Sequence, residues 1–305
     1  LHTLNIIGAG NLGRTLARLW RERQVFHIGS ICNRSLASAG EAAEFVGAGT
    51  ATADIASMAP ADFWLIAVAD DSIEHVAAEL AAHLHNVPAE QGTTDARPVV
   101  FHCSGALSSS ALSACKHASL ASTHPVHSFA SPLRSLEDLP GSTVALEGDS
   151  VARKALGEAF SLLGCSCITL SPEQKVLYHT GSVMACNYLT ALMALSLQTF
   201  AAAGIDADTA RQLLAPIVMQ TAKNNLALGP EKALTGPLAR GDIRTVTRQL
   251  TALSELARAQ PESDTPTLAE VYRLLGQAAL PLAKKAGLDE STAQQFHTLF
   301  NEQKP

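Results

Sequence analysis

Leu4-Asn5-Ile6-Ile7-Gly8-Ala9-Gly10-Asn11-Leu12-Gly13 joins an apolar run to a glycine triplet spaced G-x-G-x-x-G, and a helical pattern from Leu12 to Arg23 follows. The spacing alone is weak, but a strand before it and a helix after it give it meaning. Gly8 permits a tight turn, Gly10 lets backbone approach a pyrophosphate, and Gly13 lets helix pack on strand. Asn11 and Leu12 then stand in the first helical turn, whose free N–H groups and positive dipole end suit phosphate. Outward from this loop, strand-like and helix-like segments alternate. His27–Cys32, Phe63–Val68, Val99–Cys103, Leu120–Thr123, Thr143–Leu146 and Cys165–Leu170 read as strands, with helical stretches at Ala37–Phe45 and Ile73–Leu84. Apolar strands without alternation are covered on both faces, so the pattern predicts an α/β, doubly wound sheet.

After Pro172 the strand signals stop. Val246, Leu250, Leu253 and Leu256 recur at helical spacing, as do Leu268, Val271, Leu274, Leu275 and Leu282 after the Thr265-Pro266 pair, read as cap and first turn. Asp206 and Asp242 stand where helices start, and Gly287 where one stops. The expected domains are therefore 1–171, a sheet that binds a dinucleotide, and 172–305, all-helical. Pro88–Arg97, polar and carrying Gly92, is the expected loose segment.

Composition narrows the function. With 305 residues, two domains are the prior. The chain is 47% hydrophobic and 16% charged, which excludes a disordered chain. A net charge of -6 and a pI near 6.0 argue against nucleic acid as partner and leave small molecules. The six cysteines form no Cys-x-x-Cys pair; Cys165 and Cys167 are expected as reduced core thiols on one strand face. Leu1 leads at once into the first strand, with no initiator Met and no basic, apolar and cleavage-site sequence before it. Tyr188–Ile205 is apolar but interrupted by Thr190, Ser196, Gln198 and Thr199, so a buried helix is expected rather than a membrane span. A cytoplasmic location and no membrane follow as expectations.

The ligand side chains come next. An NAD site places Asp or Glu about 20 residues beyond the glycines, at the end of the second strand. Cys32-Asn33-Arg34-Ser35 stands there, with no acid until Glu41. Arg34 suits a 2′-phosphate, with Asn33 and Ser35 as further donors, so NADP(H) is the expected cofactor. Val68 and Ala69, Ser104 and His124 follow strand ends, where open α/β sheets bind ligands; Ser104 is expected at the cofactor and His124 at the substrate. The histidines His102, His124 and His127 lack a metal-type spacing, and no metal is expected. Lys175, His179, Val183 and Asn187 are spaced by four and form one stripe on a greasy helix, which requires a polar cleft or individually satisfied partners. Arg240, in Thr235-Gly-Pro-Leu-Ala-Arg-Gly-Asp242, could clamp a substrate carboxylate or phosphate.

Together, the glycine loop, Asn-Arg-Ser, His102-Cys-Ser-Gly105, His124-Pro125, Tyr178-His179 with Asn187, and Thr235–Asp242 resemble the 6-phosphogluconate-dehydrogenase-type reductases. Within that superfamily the resemblance is to a branch of Rossmann-like NADP oxidoreductases related to ketopantoate reductase and pyrroline-5-carboxylate reductase. It implies a Rossmann domain followed by a helical substrate and dimerisation domain, and NADPH-dependent reduction of a small ketone or imine bearing a carboxylate. A 2-keto acid such as ketopantoate is the sharpest expectation. Ketopantoate reductases carry Lys-x-x-x-Asn-x-x-x-Asn on the matching helix; here Asn187 aligns, His179 stands at the lysine, and Val183 replaces the middle asparagine. The resemblance makes His179 the proton donor and Asn187 the group that orients the substrate oxygen, with Lys175 the alternative acid or a carboxylate anchor. It also implies a homodimer through the C-terminal helices. Loss of the lysine and of one asparagine favours the rival reading, a non-catalytic NADP(H) sensor.

Overall fold

A computed structural model describes residues 1–86, 97–258 and 267–301. Of the stretch expected to be loose, all but Arg97 lies outside these residues, as do Thr265 and Pro266.

The chain forms two compact units, Leu1–Cys186 and Asn187–Pro305. In the first, β1 (His2–Ile7), β2 (Phe26–Cys32), β3 (Thr50–Thr52), β4 (Phe63–Ile66), β5 (Val99–His102), β6 (Ser119–Pro125), β7 (Thr143–Gly148) and β8 (Ser166–Thr169) make one sheet. Its order is β3-β2-β1-β4-β5-β6-β7-β8. The order reverses between β1 and β4, so the glycine loop after β1 lies at the switch point where such sheets bind ligands. All neighbours are parallel except β6 and β7. Seventeen residues join those two strands, and their helix, α4 (Pro132–Asp138), packs against α1 (Asn11–Glu22). The chain therefore re-enters the sheet antiparallel, a direction that apolar runs do not encode.

Alternate side chains of the central strands enter two cores. Leu4, Ile6, Leu65 and Phe101 meet α1, α2 (Leu36–Val46) and α5 (Ser150–Ser161) on one face. Ile7, Trp64, Ile66 and Val100 meet α3 (Asp70–Asn86) on the other. Burial on both sides is why these strands read as unbroken apolar runs. Cys165 is buried just before β8, but Cys167 is exposed on that edge strand, which corrects the expectation of two core thiols.

The first unit ends within α6 (Gln174–Ala202). Among the described residues the second unit contains only helices: the end of α6, then α7 (Ala207–Leu228), α8 (Pro230–Ala233), α9 (Ile243–Arg258), α10 (Leu268–Lys285) and α11 (Glu290–Asn301). Its core is Val246, Leu250, Leu280, Ala293, Phe296 and Phe300. Asp206 caps α7 through the N–H groups of Asp208 and Thr209, and Asp242 accepts from the Thr245 N–H. Thr267, one residue past the expected pair, caps α10 in a capping box with Glu270. Leu274 and Leu275, which share the helical spacing, are exposed. Tyr188 and Leu189 on α6 are exposed as well, and Lys175 is the one fully enclosed residue of that helix. The expected buried helix is thus not buried in a single chain. Its length and composition would also allow it to cross a membrane.

Trp20 anchors the larger core. It is fully buried, meets Phe26, Phe101 and Phe160 edge-on, and donates its indole N–H to the Ala159 carbonyl at 3.2 Å. Trp20→Ala is expected to lower the unfolding free energy by about 3–5 kcal/mol in urea titrations; a loss below about 1 kcal/mol would contradict this packing.

Candidate active site

The glycine loop is held from below. The Gly8 N–H donates to the Cys32 carbonyl at 2.8 Å, and the Ala9 N–H donates to Asn33 Oδ1 at 2.7 Å. A Cβ on Gly8 would come within 2.7 Å of the Ala67 carbonyl oxygen and of Val68 Cγ1, and one on Gly13 within 2.7 Å of the Gly8 carbonyl oxygen. Those two glycines are demanded by the protein itself. Gly10 is different, because a Cβ there would meet nothing within 4 Å. It is the N-cap of α1 and has no side chain to occupy the first-turn N–H groups, whereas Ser35, Asp206 and Thr267 each cap their helices. Open space, free N–H groups and the positive end of a helix fit a pyrophosphate. Leu12 packs into the core beneath, and Asn11 Nδ2 donates to the Phe129 carbonyl at 2.9 Å, tying the loop to the segment after β6. Arg14, which sequence reasoning passed over, donates from Nε to the Ala9 carbonyl at 3.2 Å and brings a cation to the loop.

Asn33 stands where an NAD site would have its acid, but its amide points inward. Besides accepting from Ala9 it donates to the Ser38 carbonyl at 2.9 Å. Ser35 is occupied in the same way, accepting from the Ser38 N–H and donating to the Ser38 hydroxyl. Both side chains thus help to build the loop that carries them. Arg34 between them is exposed and makes no hydrogen bond or ion pair with the described residues. Ala69 is exposed at the head of α3, after β4.

A second cluster lies past the ends of β5 and β6. His102 is buried, accepting at Nδ1 from the Ser104 N–H (3.1 Å) and lying 3.0 Å from the Ser108 carbonyl through Nε2; burial holds its pKa below the ordinary value. Ser104, expected at the cofactor, is nearly buried and ties β5 to α3. Its hydroxyl donates to Asp70 at 2.7 Å and accepts the N–H groups of Ala106 and Leu107. The Lys175 side chain is wholly enclosed, with Nζ donating to the Ser104 carbonyl (3.0 Å) and to Ser122 Oγ (2.6 Å). Burial pushes its pKa down. An ammonium so placed pins α6 to β5 and β6, and does not present itself to a substrate.

One turn later along α6, Tyr178 and His179 meet His124. Tyr178 Oη and His124 Nδ1 are 3.1 Å apart, and the rings of His124 and His179 stand edge to face at 5.3 Å. Gly105 makes room for them: a Cβ there would lie 2.3 Å from His179 Nδ1 and 2.9 Å from His124 Nε2. His179 Nδ1 is buried without a partner. Burial pushes the His124 pKa to about 4, helped by the positive fields of His179 and Lys175 and opposed by Asp70. Gly105 and Tyr178 were absent from the expected site residues; the first is 74 positions from His179 in the chain, and only the fold brings them together. Asn187 and Arg240 belong to the second unit, where both are exposed. Arg240 lies in a turn with left-handed Gly236 and Gly241.

Comparisons with known proteins agree with the fold. Residues 3–88 match the family described as NADP oxidoreductase coenzyme F420-dependent, and residues 142–279 match a domain of unknown function, DUF2520. Protein TM1727 from Thermotoga maritima shares 26% identity over 92% of this chain and 98% of its own, with a TM-score of 0.66. A reductive aminase from Aspergillus terreus, solved with NADPH, cyclohexanone and allyl amine, shares 17% identity over 97% of this chain and 99% of its own, with a TM-score of 0.59. A pyrroline-5-carboxylate reductase from Coxiella burnetii shares 18% over 98% of each chain, with a TM-score of 0.53. No curated protein sequence matches the chain.

Two outcomes follow from this geometry. Gly10→Ala should leave the melting temperature unchanged yet weaken NADPH binding more than about tenfold in fluorescence titrations; unchanged affinity would show that the open space is not the pyrophosphate seat. Because His124 binds its proton less tightly folded than unfolded, stability should be complete above the unfolded histidine pKa and fall as pH drops from about 6.5 toward 4. Thermal melts of His124→Gln should lose less stability over that window than wild type, by at most roughly 3 kcal/mol; parallel losses would refute the assignment.

Proposed function

From the place of this chain among the NADP oxidoreductases, we propose that it reduces a small ketone or imine bearing a carboxylate, with a branched 2-keto acid such as ketopantoate as the preferred substrate class. The observation that carries the reading is the pairing, within the first unit, of an open, uncapped glycine loop with an imidazole whose enclosed Nδ1 has no partner. Solved relatives named as a reductive aminase and as pyrroline-5-carboxylate reductases support reduction at a carbon–nitrogen or carbon–oxygen double bond.

When bound, NADPH supplies the hydride. Gly10 and the first turn of α1 hold its pyrophosphate, and the Arg34 guanidinium answers the 2′-phosphate. His179 gives a proton from Nε2 to the substrate heteroatom. His124, kept neutral by burial, is a hydrogen-bonding wall instead of a charge. Lys175 positions α6. Asn187 and Arg240 are the second unit's candidates for binding a substrate oxygen and a carboxylate. In the single chain, Tyr188, Leu189, Leu213, Ile217 and Met219 are exposed on α6 and α7. An exposed apolar set of this kind marks an interaction surface, and a homodimer through these helices is part of the proposal. Six free cysteines fit a reducing, cytoplasmic setting.

The test is NADPH oxidation, followed by the loss of the reduced cofactor's absorbance, against a panel of 2-keto acids and cyclic imines. Turnover of at least one member is expected, with His179→Ala lowering kcat at least about a hundredfold and leaving NADPH affinity unchanged. Tight NADPH binding with no turnover of any member would favour a cofactor sensor instead.

A further inference from the structure

Arg14 stands at the wrong end of its helix. The N-terminus of a helix is its positive end, where acids are favoured and cations are not. Four other helices obey this, with Asp70 and Asp71 in the first turn of α3, Asp208 in α7, Glu270 in α10 and Glu290 in α11. The first turn of α1 has no acid, and the Arg14 N–H closes it by donating to the Gly10 carbonyl at 3.0 Å. No carboxylate among the described residues pairs with the Arg14 guanidinium, whose one hydrogen bond is the one from Nε to the Ala9 carbonyl at 3.2 Å. A cation kept there is unfavourable until an anion joins it.

That bond also fixes where the cation stands. Ala9 is gripped on both of its backbone groups: Arg14 holds the carbonyl, and Asn33 Oδ1 holds the N–H at 2.7 Å. Arg34 follows Asn33 in the chain. The half-buried Arg14 and the exposed Arg34 are thus tied to one residue of the glycine loop, one directly and the other through its neighbour. Neither guanidinium has an Nη partner among the described residues.

We propose that Arg14 is the second cation of the 2′-phosphate site, and with it a determinant of the choice of NADPH over NADH. A phosphomonoester carries about -1.5 to -2 charges at neutral pH, more than one guanidinium neutralises. The pyrophosphate has the N–H groups of the uncapped turn. Arg34 is a free side chain that must be ordered on binding, whereas the Nε bond of Arg14 holds its fork in place beforehand. The inference rests on the reading that sets the 2′-phosphate beside Arg34.

The experiment is a set of fluorescence titrations of the full chain with NADPH and with NADH, for wild type, Arg14→Gln and Arg34→Ala. The glutamine amide nitrogen stands where Nε stood, so the bond to Ala9 can be kept while the charge is removed. Arg14→Gln is expected to weaken NADPH at least about tenfold and to leave NADH affinity as in wild type. Unchanged NADPH affinity would overturn the proposal. So would an equal loss for both dinucleotides, which would make Arg14 a support of the loop or a partner of the pyrophosphate. Failure of the Arg34 reading looks different: Arg34→Ala would keep the preference for NADPH while Arg14→Gln loses it.

Discussion

The ammonium of Lys175 is the contact on which the candidate site depends. It is fully enclosed, and it donates to a backbone carbonyl on the segment after β5 and to a hydroxyl on β6. Burying a cation is expensive unless its hydrogen bonds are satisfied, and removing its partners would be costly for the same reason. The helix that follows can therefore start in one place only. One turn on, that placement puts Tyr178 and His179 against His124 and over Gly105. Asp70 and Glu147 add negative field around the same lysine. Glu147 is itself bound by the N–H and hydroxyl of Ser109, so the support extends to β7.

The sheet was largely legible because strands covered on both faces cannot hide among polar residues. β1, β4 and β5 announce themselves, and the glycine loop between strand and helix follows from backbone geometry. Short or marginal elements were not legible. β3 is three residues at an edge, α4 has seven, and neither contributes a periodic run. The exposure of Cys167 depends on β8 being the last strand, a fact of topology. The apolar stretch in α6 was misjudged for another reason: composition tells that a side chain wants cover, but not whether its own chain provides it.

Within the site, sequence pointed to positions better than to roles. It singled out Asn33-Arg34-Ser35 as the ribose end of the cofactor, and the chain does lack an acid there. Which way an amide turns is decided by its neighbours, and the bonds to Ala9 and Ser38 leave Arg34 as the group free to meet a phosphate. Likewise, spacing by four placed Lys175 and His179 on one helical face, but one is wholly buried and the other retains an unsatisfied nitrogen. The same face thus carries an anchor and a chemical group. The difference arises from Ser104 and Ser122, which no local pattern connects to α6.

The most direct test of this account is a crystal structure of the NADPH complex. The account predicts the pyrophosphate over Gly10, the 2′-phosphate beside Arg34, and the reduced nicotinamide ring at the His124–His179 pair. A coenzyme whose 2′-phosphate avoids Arg34, or whose nicotinamide lies away from both imidazoles, would contradict it.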